Sequence, residues 1–234
     1  METETTNEVY DINMETYLLL REEPFFGVVS RYINKTPSTA IPTAGVRVNK
    51  HTAQFEMIYN PKFFLGLTLA ERADVLKHEF WHIVNEHVTG RLPAEGMTKM
   101  WNVATDLAIN SHLPNIPKIA CIPGSGPFAK YPKGLSAEQY FEMLKEDEQF
   151  KPKDGEGEGE GTPDTMDDHS GWSESDADMD NTTNEIAKEG LKEAMKKAAE
   201  EANRSNNWGS IPADIRKRSE EHTSELQSRF GISY

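Results

Sequence analysis

The sequence predicts an α+β fold, mainly helical with one small β-sheet. Three observations carry that expectation. Thr68 and Glu71 have the spacing of a reciprocal helix cap ahead of an apolar repeat. Residues from Thr98 to about His112 recur with a helical period, and two short runs between Ala44 and Tyr59 have strand character.

In chain order, Met14 to Arg21 and Pro24 to Ile33 read as two short helices, with Pro24 suited to a first helical turn, and Thr36 to Pro42 breaks the pattern. Ala44 to Val48 and Ala53 to Tyr59 follow as strands, the second alternating Phe55, Met57 and Tyr59 against Gln54, Glu56 and Ile58. Asn60-Pro61 ends them. A helix should begin near Leu69 and stop at Gly90, with Leu69, Ala73, Leu76, Phe80, Ile83 and Val84 as its apolar stripe. The next helix carries Met100, Trp101, Ala104, Leu107 and Ala108 and is ended by Pro114 and Pro117. A Pro- and Gly-rich stretch then runs to Tyr131-Pro132, and Ser136 caps a last short helix to Lys145.

Composition divides the chain. An apolar share of 36% is low for 234 residues folded throughout. Glu146 to Thr182 holds fourteen acidic residues against Lys151 and Lys153, which is −12 of the formal −14. The expected organisation is a domain over residues 1–150, an acidic disordered linker over 151–183 and a helical segment over 184–217 that leads to a missing C-terminal domain. Asn184 to Ala202 has helix formers but few large apolar side chains, so a helix there needs a partner. Residues 218–234 are set apart, because Arg218 to Ser228 resembles the translation of a common sequencing adapter and is read as an assembly artefact. Everything from Lys151 onward is expected to be removable without unfolding the core.

The same composition excludes several function classes. No basic stripe offers a nucleic-acid footprint. Cys121 is the only cysteine, so no internal disulfide framework exists. Met1 to Asn13 is acidic and polar, unlike a signal peptide, and no apolar run approaches a membrane span; a soluble, cytoplasmic protein is expected.

The chemistry centres on His78-Glu79-Phe80-Trp81-His82, an H-E-x-x-H pattern inside a helix predicted on other grounds. At 100° per residue the two histidines project about 40° apart, so both rings can reach one zinc ion from adjacent turns. Glu79 is offset along the helix, as suits a general base acting on water. The pair projects roughly opposite to Leu69, away from the stripe. A catalytic zinc needs a third protein ligand. His87 would project into the stripe and is rejected unless the helix breaks early. Asp106 is better placed, on a polar line of Asn102, Asp106 and Asn110 at i, i+4, i+8, where a lone carboxylate calls for a cation or else for a salt-bridge partner. Asn102 and Asn110 would then steady that carboxylate. His112, near the helix end, is the third option, and His169, isolated in a polar segment, stays outside the ligand set.

Tyr59-Asn60-Pro61, then Leu76-Lys77-His78-Glu79-Phe80-Trp81-His82, then Trp101-Asn102-Val103-Ala104-Thr105-Asp106-Leu107-Ala108-Ile109-Asn110 resemble, in that order, a predicted metallopeptidase family of bacteria and their phages. The resemblance runs from about Pro24 to Leu144 and takes in Ser136-Ala137-Glu138; its distinctive block is W-N-x-A-x-D-x-x-I-N. It implies a zincin-like fold, Asp106 as the third zinc ligand, a protein or peptide substrate, and a host-cell or bacterial cytoplasm. Members often continue into a VWA-like domain, which this sequence lacks; Ile211-Pro212 resembles the linker into it, so truncation is expected and with it a partner protein engaged by the missing region. Asp167-Asp168-His169-Ser170-Gly171-Trp172 resembles an island in relatives' linkers. The expected activity is zinc-dependent peptide-bond hydrolysis with Glu79 as base, the run Ala53 to Tyr59 serving as an edge strand that holds the peptide. A zinc-binding adaptor without turnover and a non-peptidic zinc hydrolase are the rivals, and an intact Glu79 favours the enzyme.

Overall fold

The structure is a computed structural model that describes residues 10–94, 98–150, 181–213, 215–217 and 219. His169, the acidic segment up to residue 180 and nearly all of the tail lie outside them.

Helix α1, Ile12–Glu22, starts where the Asp11 carboxylate accepts from the amide of Asn13 at 2.9 Å, and it buries Ile12, Glu15 and Leu19. Helix α2, Pro24–Val29, has Pro24 in its first turn and all six residues buried. The two backbones touch. A Cβ on Gly27 would lie 2.3 Å from Leu20 Cα, so only glycine allows this approach.

Helix α2 does not continue to Ile33; one 3-10 turn follows, and then Ile33–Pro37 forms strand β1. It pairs in parallel with β3, Phe55–Tyr59, from Ile33 opposite Phe55 to Pro37 opposite Tyr59. Strand β2, Ala44–Val48, pairs antiparallel on the other side of β3, so the order is β1-β3-β2. The run Ala53 to Tyr59, expected at an edge, is therefore central: β3 is paired on both sides, and the outer edges belong to β1 and β2. β1 escaped notice because only Ile33 of its five residues is buried, which leaves no alternation to read. Pro37 is tolerable there because an edge strand need not donate from every position.

After the short helix α3, Pro61–Leu65, comes the long helix α4, Leu69–Val84. Its start is as predicted: Thr68 Oγ1 accepts from the amide of Glu71, and the Glu71 carboxylate accepts from the amide of Thr68 at 2.9 Å. Helix α5, Lys99–Asn110, is capped by Thr98, and α6, Ala137–Glu146, by a second reciprocal cap of Ser136 and Gln139. α5 and α6 pack together through a cluster that includes Trp101, Leu107, Tyr140, Phe141 and Leu144, while α1, α2, the sheet and one side of α4 share the larger core.

The last described helix, α7, Asn181–Arg204, lies along α2 and buries Ala187, Leu191, Ala194, Met195, Ala198 and Ala202. The partner that this weakly apolar helix requires is thus the chain's own α2, whose buried face admits an alanine-lined helix. Beyond it, Trp208 stacks on Phe25 with ring centroids 6.0 Å apart, and the amide of Ser210 donates to Glu23 Oε2 at 2.7 Å. The expectation that the chain after Lys151 is dispensable does not survive this packing, since α7 and Ile215 belong to the main core. Among the described residues no helix is long and apolar enough to cross a membrane.

Candidate metal centre

Every residue of α4 from Asp74 to Val84 is buried. The expected stripe holds only in part, because Leu69 in the first turn is 64% exposed. Further along, Leu76, Phe80 and Ile83 face the main core, and the opposite side is covered by α5. Burial so complete demands partners for the polar residues. Lys77 Nζ lies 2.8 Å from Asp74 Oδ1 and 3.3 Å from Glu23 Oε1, and Asp74 Oδ2 accepts from the amide of Asn115 at 2.7 Å.

His78, Glu79 and His82 are fully buried, and the two histidines face Asp106 of α5, which is fully buried as well. The Nε2 atoms of His78 and His82 lie 3.0 Å apart, and Asp106 Oδ1 lies 3.4 Å from His82 Nε2 and 3.8 Å from His78 Nε2. A buried carboxylate converging with two buried imidazoles is a costly assembly that a divalent cation would offset. The donor set of two ring nitrogens and one carboxylate oxygen suits such an ion. The triangle also has the right size: the centre of the circle through the three atoms is about 2.0 Å from each, close to the usual zinc–nitrogen and zinc–oxygen lengths.

The chain fixes how these groups point. Asn110 Nδ2 donates to the carbonyl oxygen of Cys121 at 2.9 Å, which can only accept, and this sets the orientation of the amide. Its oxygen then faces His78 Nδ1 at 2.8 Å, so His78 carries its proton on Nδ1 and presents the Nε2 lone pair to the centre. Asn110 thus steadies His78, not the Asp106 carboxylate as its spacing had suggested. Asn102 makes no hydrogen bond to Asp106 among the described residues; its Oδ1 is buried without a hydrogen-bond partner among them.

His87 also departs from expectation. Helix α4 ends at Val84, before the predicted stop, so His87 is not carried into the apolar stripe. The residue is 2% exposed and its Nδ1 lies 3.1 Å from His82 Nδ1, the nitrogen of His82 other than the one that faces His78 and Asp106. His112 is not part of the cluster: its ring lies against Trp81, centroids 6.3 Å apart. Among the described residues, His78, His82 and Asp106 form the group whose ligand atoms converge closely enough for one ion, all within 4.8 Å. The carbonyl of Cys121 is a participant that the sequence does not mark, and the place of His87 beside His82 differs from the expected one inside the apolar stripe. The first is a backbone atom with no sequence signature, and the second depends on where the helix ends.

Comparison with known proteins adds one finding. A family model described as "Putative metallopeptidase domain" matches residues 17–227. No curated protein and no solved structure matches the chain.

Proposed function

The chain belongs to the family described as "Putative metallopeptidase domain", and from that premise we propose that it is a zinc-dependent peptidase of zincin-like fold. The observation that carries the reading is the convergence of two imidazole Nε2 atoms, 3.0 Å apart, on a buried carboxylate oxygen at 3.4 and 3.8 Å. His78, His82 and Asp106 would hold the ion. Zinc bound there would supply Lewis acidity, drawing the pKa of a water toward neutrality and polarising the carbonyl of a peptide.

The chain's own residues do the rest. Glu79 sits on α4 immediately after His78 and is fully buried, so it is held close to the centre by the helix itself. It accepts a proton as the water oxygen bonds to the carbonyl carbon, and it returns that proton to the amine nitrogen as the C–N bond breaks. Asn110 keeps His78 in the tautomer that binding requires. Burial of all four side chains keeps bulk water from weakening these charges.

Metal analysis joined to a peptide-hydrolysis assay tests the proposal. Wild type should bind about one zinc per chain and cleave unfolded protein substrates. His82→Ala should lose both properties, and Glu79→Gln should keep the metal while losing roughly 10²- to 10⁴-fold in rate. Zinc binding without any cleavage would favour an adaptor over an enzyme. Cleavage that survives Glu79→Gln unchanged would overturn the mechanism.

A further inference from the structure

We infer that His87 is a positioning residue of this centre, fixing the tautomer and the ring orientation of His82 by accepting its Nδ1 proton. The inference rests on the metal-binding reading above and extends it to a residue outside the converging group.

The backbone builds the contact deliberately. After Val84 the chain turns at Glu86, which has φ of +64°, and the amide of His87 donates back to the carbonyl of His82 at 2.9 Å while the amide of Glu86 donates to Ile83 at 2.9 Å. This is a Schellman-type closure, in which the left-handed position is usually glycine. Glutamate there costs about 1–2 kcal/mol for a Cβ crowding the following carbonyl. What the turn achieves is to bring His87 over the end of its own helix, tied to His82 through backbone and side chain alike.

The chemistry of the pair leaves one arrangement compatible with metal binding. Nε2 of His82 faces His78 at 3.0 Å and must offer a lone pair there, so Nδ1 must carry the proton. Nδ1 of His87, 3.1 Å away, accepts it, and the remaining proton of His87 is then on Nε2. His87 cannot itself reach the ion in this geometry, since it contacts the far nitrogen of His82. Trp101, with its ring 6.3 Å from that of His87 and nearly perpendicular to it, packs the histidine in place. His78 and His82 therefore have separate braces, Asn110 from α5 and His87 from the turn after α4.

The test uses the full chain with His87→Leu and His87→Gln, titrated with zinc against a chromogenic chelator and with cobalt(II) followed by its visible absorption. Leucine removes the acceptor and keeps an apolar filling; glutamine offers a carbonyl oxygen to the same proton. Zinc affinity should fall about 10- to 100-fold in His87→Leu, with an altered cobalt spectrum, and glutamine should recover most of the loss. Equal affinity in wild type and His87→Leu, or no recovery with glutamine, would overturn the positioning role. Should the leucine variant fail to fold, the decision falls to glutamine alone: it is expected to bind zinc within a few-fold of wild type, and a loss as complete as in His82→Ala would make His87 a ligand instead. A wild type that takes up no zinc overturns the metal reading itself, an outcome distinct from any of these.

Discussion

The amide oxygen of Asn110 lies 2.8 Å from Nδ1 of His78, and the other end of the same amide is anchored on the carbonyl of Cys121. Asn110→Ala breaks both bonds at once. It removes the Asn110 bond to a buried carbonyl, costing about 1–3 kcal/mol of stability, and it frees His78 to turn, which should weaken metal binding about 10- to 100-fold. Urea denaturation and chelator competition measure the two effects separately. A stability loss with unaltered metal affinity would mean that Asn110 braces only the loop.

The left-handed turn at Glu86 makes a second prediction. Glu86→Gly removes the Cβ penalty and adds the smaller entropic cost of an extra glycine, so the protein should gain up to about 1 kcal/mol. The backbone bond from His87 to His82 does not depend on the Glu86 side chain, and metal affinity should not change. A destabilised variant would show that this side chain contributes more than its backbone conformation costs.

Helix α7 should be indispensable. Leu191→Ala removes a side chain that is 3% exposed in the main core and should cost about 2–5 kcal/mol. A chain ended at Phe150 should lose its cooperative thermal transition, because the apolar face of α2 would be bared. A truncated chain melting like the full one would separate α7 from the fold.

Asp147 supplies a pH dependence. Lys130 Nζ at 2.8 Å, and after it the Tyr131 hydroxyl donating at 2.7 Å, hold this carboxyl at about 2, below its ordinary 3.8. A carboxyl whose pKa falls on folding stabilises fully above its unfolded value and loses that contribution as pH drops through the folded one. The stability difference between wild type and Asp147→Asn should therefore be constant above pH about 4 and shrink toward pH about 2. Urea midpoints over that range decide it; a difference independent of pH would mean that Asp147 acts through hydrogen bonds alone.

What the sequence disclosed was whatever is local. Thr68 with Glu71, Thr98 and Ser136 mark helix starts through hydrogen bonds that span three residues, and all three helices begin there. The i, i+4, i+8 spacing on α5 likewise placed Asp106 and Asn110 on one face. The misreadings arose where a distant partner or an unmarked backbone decides. β1 is a strand because β3 pairs with it, not because of its own pattern. The end of α4 was misjudged because glutamate, not glycine, occupies the left-handed position. The role of α7 was invisible because its buried face is mostly alanine, and the surface that accepts it lies at the other end of the chain.

The strand order has a consequence for how the chain assembles. Among the described residues β1 and β2 are not neighbours; each pairs with β3 alone, which follows both in sequence. No part of this sheet can therefore form until the chain has reached β3 at Phe55, and both pairings then start from one template. Substitutions at Met57, wholly buried at the middle of that template, should slow folding more than they hasten unfolding if the sheet belongs to the folding nucleus. In a chain emerging from the ribosome, the first two strands wait for the third.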